Sequence, residues 1–296
     1  MHNFRHLAVA FGLVLGVCRP AMADQKIIVA FAGSMGVVMD RGIGPAFTEK
    51  TGVKFQGIGQ AAMGLAHLLS AKSLNADVFV SVSPGPIKVV EQAGLVDGAV
   101  PVASTSIVLA YAPGSKFAGA LAAKGAEWPK ILEGAKLRFG RTDPVTDPQG
   151  AYVLYTLQLA ETYYKLPGLA KAVAGADENP AEIFAEPSLL ARLQDGQVDA
   201  TLGYESAVIS QHLPFVALPP EINFSNPALA KAWYSKASLT LKGKLAHPGP
   251  LVFYAAVLKN AANPQGAEKF VKFLNSAEGQ KLFAQYGYNP GKGPKI

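Results

Sequence analysis

Short, uninterrupted apolar runs alternate with helix-patterned stretches along nearly the whole chain, and this alternation restricts the fold more than any other feature. Lys26 to Phe31, Asp77 to Val82, Ser106 to Ala112, Lys136 to Gly140 and Val198 to Tyr204 read as strands. Between them, Met63 to Lys72 sets Leu65, Leu68 and Leu69 on one helical face. Gly150 to Tyr164 carries Val153, Leu154, Leu157 and Leu159 at mixed spacings, which predicts a helix buried on most sides. Ala267 to Leu274 and Leu282 to Tyr286 read as short amphipathic helices, with Ser276 as N-cap of the second. Strands apolar throughout need cover on both faces, so the expected fold class is α/β, parallel strands flanked by helices. Proline and glycine crowd the connections at Pro144 to Gly150 and His247 to Pro250, yet no flexible linker is visible. A two-lobed chain that crosses between its lobes more than once needs none.

The first residues bear on compartment. Arg5 and His6 precede an apolar run from Leu7 to Val17, followed by Ala21-Met22-Ala23. A basic start, a short apolar segment and a small-x-small site predict a signal peptide over 1–23, cleaved before Asp24 for export to the periplasm. The run falls short of the roughly 20 residues that span a bilayer. Cys18 is the only cysteine and lies in that leader; Val17 before it fits a lipoprotein site poorly, so a lipid anchor is the lesser alternative. The exported chain would hold no thiol. Two of the 27 basic residues, Arg5 and Arg19, leave with the leader, so only a small basic surplus remains over 21 acidic residues. That balance favours anions weakly and does not suggest nucleic acid.

Metal catalysis has little support, because His67, His212 and His247 lie far apart in sequence and no HExxH-type spacing occurs. No free metal cation site and no cofactor are expected. An exported hydrolase would need a nucleophile beside a base, and the chain has no Gly-x-Ser-x-Gly elbow. A different unit recurs: strand, polar Gly-rich turn, helix start. It occurs at Ala32-Gly33-Ser34-Met35, Ser81 to Pro86 and Gly140 to Gly150, and again at Gly203-Tyr204-Glu205-Ser206. Ligands of α/β sheets bind outside the carboxyl ends of strands, and a helix start presents unpaired N–H groups to an anion. Ser34 and Tyr204 can add hydroxyl donors there. Read blandly, Ser34 is an N-cap and Tyr204 a core aromatic.

At these residues the chain resembles the molybdate- and tungstate-binding proteins of ABC importers. The likeness runs through Ala32 to Met35, Gly59-Gln60-Ala61-Ala62, and Asn75 to Ser81. It continues in the doubled Asp-Pro loop Asp143-Pro144-Val145-Thr146-Asp147-Pro148, in Tyr204 to Ala207, and in the ending Phe283 to Tyr288. The resemblance implies a type II periplasmic-binding-protein fold, with lobe 1 over 24–108 and 247–296 and lobe 2 over 109–246. It implies a tetrahedral oxyanion in the cleft, a membrane permease as partner, and a monomer in solution. Ser34 (with Gly33) and the turn at Gln60, Ala61 and Ala62 would face the anion from lobe 1. The Gln149 backbone, Ser188 and the Tyr204 hydroxyl would face it from lobe 2.

The chain departs from the pattern in two places. The family's serine-rich turn reads Gln60-Ala61-Ala62 here, leaving backbone N–H groups or the Gln60 amide as donors. The archaeal proteins also bring carboxylates to the metal centre, one of them just before the motif's Tyr, and that position is Gly203 here. Glu205 lies one residue beyond. The expected ligation is therefore purely hydrogen-bonded, while Asp143 and Asp147 read equally as turn and capping residues. Sulfate, phosphate or an organic acid is the alternative ligand.

Overall fold

In a computed structural model of the protein, residues 26–133, 137–176 and 183–296 are described, so the expected leader with Cys18 lies outside the described residues. The first sheet has the order β11-β4-β10-β3-β1-β2, from Asn289–Pro290, Val100–Ser104, Val252–Val257, Val78–Ser81, Lys26–Ala32 and Lys54–Gln60. β1 lies between β2 and β3 and pairs parallel with both, so its Ile27, Val29, Ala30 and Phe31 are buried. Asp77 pins this corner, its carboxylate accepting from Ile28 N at 2.7 Å and Asn263 N at 2.8 Å.

The second sheet has the order β6-β5-β7, from Ala200–Tyr204, Ile107–Tyr111 and Phe215–Ala217. β8 (Leu239–Leu241) and β9 (Lys244–Ala246) form a separate hairpin. The hairpin is tied to the helix Pro148–Tyr164 through reciprocal bonds between Gln158 and Ser238, both 3.0 Å. That helix is buried along most of its length, as its mixed apolar spacing predicts.

The expectation of parallel strands holds for β1 to β3 and needs correction elsewhere. β10 runs antiparallel to β3 and β4, and β5 runs antiparallel to both β6 and β7. The chain passes from β4 in the first sheet to β5 in the second through Thr105 and Ser106 alone. It returns through 247–251, and Thr105 N donates to Leu251 O at 3.2 Å, so the outward and return crossings lie side by side. The expected strand Lys136 to Gly140 is reduced, in its described part, to an isolated bridge of Phe139 with Ala200. Its alignment is fixed instead by Arg138, whose guanidinium meets Asp199 at 2.9 and 3.0 Å. The Arg138 hydrogen bonds hold the Asp199 carboxyl down at about 2.

β2 escapes a hydrophobicity reading. It is an edge strand with exposed residues, and Gly57 and Gly59 carry no side chain because the ring of Phe31 lies across them. A Cβ on either would come within 2.8 Å of that ring. Ser276 caps the helix Ala277–Gln285, accepting from Gly279 N at 3.1 Å as expected.

Candidate functional site

Two strand ends of the first sheet open toward the second half of the molecule. β1 runs into a 3-10 turn, Gly33–Met35, whose N-cap is Ala32, so Ser34 does not serve as a cap. Its hydroxyl is buried and has no hydrogen-bond partner among the described residues. Gln60 sits beside Ala32 in the β1–β2 register, and Ala61 begins the helix Ala62–Ser70 with no side-chain cap.

The second half contributes the loop before the helix Pro148–Tyr164. Asp143 accepts from Val145 N at 2.8 Å and from the Thr146 hydroxyl at 2.9 Å. Asp147 caps the helix, accepting from Gln149 N at 2.9 Å, with the Thr142 hydroxyl beside it. Both carboxylates thus build the loop, the bland reading of the doubled Asp-Pro motif. The backbone N–H of Gln149, expected to face the ligand, is already committed to Asp147; the atom left over is its side-chain Nε2, buried and without a partner. Burial pushes the Asp147 carboxyl up to about 6, against the lowering effect of its hydrogen bonds.

The Gln149 amide lies against Gly203, where a Cβ would stand 3.8 Å from Nε2. Tyr204 follows, 1% exposed, its ring 6.5 Å from that of Phe253 on β10. Phe253 is in turn 5.3 Å from the ring of Tyr288, whose hydroxyl donates to Ser34 O at 3.1 Å. The Gly33–Met35 turn also packs on the helix Glu205–Ser210 that begins just after Tyr204. Contacts therefore link Gln149, Tyr204 and Ser34 across the two halves.

Three cavities follow the boundary between the halves. One of about 420 Å³ has Gly33, Ser34 and Arg41 on one wall and Leu190, Gln194 and Gln211 on the other. A second of about 430 Å³ sets Gln60 and Ala61 opposite Thr142, Asp143 and Asp147. The third, about 390 Å³, lies between Met63, Ser83 and Lys88 and the residues Asp147, Tyr152 and Gly249.

Two expected residues have partners within the protein. The Ser188 hydroxyl accepts from Arg192 Nε at 3.3 Å on its own helix and keeps its O–H donor, and the same helix lines the first cavity through Leu190, Ala191 and Gln194. The Glu205 carboxylate accepts from the Ser106 hydroxyl at 2.6 Å, a bond at the outward crossing. Conversely, the Gln149 side chain and the fully buried, unpartnered Ser206 hydroxyl were missed. The one available signal was an amide at the second position of a helix otherwise apolar on nearly all sides. Among the described residues, no cluster of His, Cys, Asp and Glu could hold a metal ion, and no helix is long and apolar enough to cross a membrane.

The bacterial extracellular solute-binding protein family matches residues 27–289. The chain belongs to this family. Its members are binding proteins. An uncharacterized solute-binding protein of Halobacterium salinarum is 28% identical over 89% of this chain and 85% of its own length. The molybdate/tungstate-binding protein WtpA of Pyrococcus abyssi is 27% identical over 94% of this chain and 90% of its own length. The periplasmic molybdate-binding protein of Azotobacter vinelandii superposes with a TM-score of 0.60, covering 90% of this chain and all of that one at 16% identity. That likeness is one of fold: this solute-binding protein has the α/β architecture of the periplasmic binding proteins.

Proposed function

We propose that this solute-binding protein captures a tetrahedral oxyanion, molybdate or tungstate, outside the cytoplasm and delivers it to the membrane permease of an ABC importer. The observation that carries the reading is that two polar side chains, Ser34 Oγ and Gln149 Nε2, one from each half, are buried and have no hydrogen-bond partner among the described residues. Buried polar groups without partners are rare in folded proteins, and an anion accepting from both would satisfy them. The names of WtpA and the Azotobacter protein point to the same ligand class. Lobes 24–108 with 247–296 and 109–246 would close on the ligand, which favours the state in which donors of both lobes reach it. Neutral donors leave selectivity to cavity size, so molybdate and tungstate are favoured over the smaller sulfate. Export through the leader, a monomeric state and the absence of any cofactor complete the reading.

Isothermal titration calorimetry of the chain from Asp24 onward, with molybdate, tungstate, sulfate and phosphate, tests it. Dissociation constants in the micromolar range or below are expected for the first two, with weaker binding of the others. No heat and no rise in melting temperature with either metal oxyanion at about millimolar concentration would sink the assignment.

A pH dependence follows from Asp147. Its proton is held more tightly in the folded protein than in the unfolded chain. That contribution to stability is present below the unfolded carboxyl value and lost as pH rises to about 6. An anion nearby disfavours the ionised carboxylate further, so affinity should rise as pH falls from 8 through 6. A further one-unit rise on binding corresponds to about 1.4 kcal/mol, a gain of up to roughly tenfold. Titrations across that range in wild type and Asp147→Asn check it, the variant being expected to lose the slope.

A further inference from the structure

The C-terminal segment touches both halves at the cleft, and the mechanism described so far does not use it. Tyr288 is 3% exposed, and its hydroxyl donates to the Ser34 carbonyl at 3.1 Å from 254 residues further along the chain. Its ring is held on one side by Phe253, centroids 5.3 Å apart, and on another by Phe283 at 5.4 Å. The residue before it, Gly287, has φ +79°, a conformation that suits glycine, and a Cβ there would meet Ile209 at 2.8 Å. Ser210 Oγ donates to Tyr286 O at 3.2 Å. Residues 286–288 are therefore held against Ile209 and Ser210 at the end of the helix Glu205–Ser210, while the Tyr288 phenol bonds Ser34.

We propose that Tyr288 is a positioning residue for the oxyanion site, its phenol fixing the Ser34 carbonyl and thereby the direction of the Ser34 hydroxyl. The inference rests on the molybdate or tungstate reading above. The Gly33–Met35 turn runs without a break into helical residues 36–51, and Ser34 sits in its first turn. Ser34 makes no capping bond and its hydroxyl has no partner among the described residues, so the Tyr288 phenol is a restraint placed on its peptide from outside the helix. Because the same segment is fastened to the helix after Tyr204, the Ser34 unit is referenced to the opposite wall of the site.

The test is Tyr288→Phe, which keeps the ring between Phe253 and Phe283 and removes only the hydroxyl. Sodium molybdate and sodium tungstate are titrated into wild type, Tyr288→Phe, Ser34→Ala and the double variant, with the ligand-free melting temperature of each measured alongside. The expected result is a dissociation constant about 5- to 30-fold weaker in Tyr288→Phe with a melting temperature within about 2 °C of wild type. In the Ser34→Ala background the same substitution should change affinity less than about twofold, since the group it orients is gone. Phe270→Leu, which loosens core packing against Phe47 (ring centroids 5.1 Å apart) and leaves the Tyr288 surroundings intact, should lower the melting temperature and leave affinity within about threefold.

Wild-type affinity in Tyr288→Phe, fully multiplicative effects of the two substitutions, or an equal loss in Phe270→Leu would each overturn the inference and leave the ligand assignment standing. Failure of wild type to bind either oxyanion would remove the assignment and this inference together.

Discussion

Replacing Gly150 with alanine is expected to lower the melting temperature by roughly 6–12 °C, the effect of about 3 kcal/mol on a protein of this size. A Cβ at this position would overlap the Thr142 carbonyl oxygen and stand 2.7 Å from Asp143 C and Pro144 N. These are backbone atoms, so no rotamer change relieves the overlap. The loop they belong to is fixed by the Asp143 turn and the Asp147 cap, and it carries Gln149. Oxyanion binding should therefore fall with stability. Gly119→Ala is the control: it lies in the helix Ala118–Ala123 with nothing within 4 Å of an added Cβ. There the helix gains about 0.5–1 kcal/mol. Differential scanning calorimetry of both variants measures the contrast, and equal melting temperatures would show that the loop yields more easily than its packing implies.

Gln149→Leu is expected to act oppositely on stability and on binding. Its side-chain Nε2 is buried without a partner, so the folded protein carries the cost of a dehydrated donor. An apolar side chain of similar size removes that cost, and the unfolding free energy in the absence of ligand should stay level or rise by about 1 kcal/mol. Affinity for molybdate should drop about 10- to 100-fold, or roughly 1.4–2.8 kcal/mol, as one charge-assisted hydrogen bond is lost. Ser34→Ala should repeat the pattern from the other half. Urea denaturation and calorimetry separate the two effects. If the substitutions destabilise the protein by about 2 kcal/mol and leave affinity unchanged, both groups serve the fold and the site lies elsewhere.

Much of the architecture was legible in the chain. Continuous apolar runs located β1, β3, β5 and β6, and the mixed spacing after Gly150 marked a helix buried on nearly all sides. β2 was not legible, because an edge strand covered by a neighbour's aromatic ring needs glycine rather than an apolar residue at that face. Strand direction in the second sheet was also hidden. Periodicity reports which residues are buried and says nothing of how two residues, Thr105 and Ser106, carry the chain into another sheet.

The site divides in the same way. Turns at strand ends, with Ser34, Gln60 to Ala61, Asp147 and Tyr204 on them, were visible as local pattern, since turn and capping chemistry depends on neighbours in sequence. Which polar atoms remain unpaired was not. Gln149 loses its N–H to a carboxylate two residues earlier and keeps its amide, and Glu205 is taken up by Ser106 from 99 residues away. The sequence by itself determined the α/β class and the places where ligand-facing turns arise. Only the tertiary structure decided which donors are left for a ligand, because a hydrogen-bonding group is free or spent according to partners that long-range packing brings to it.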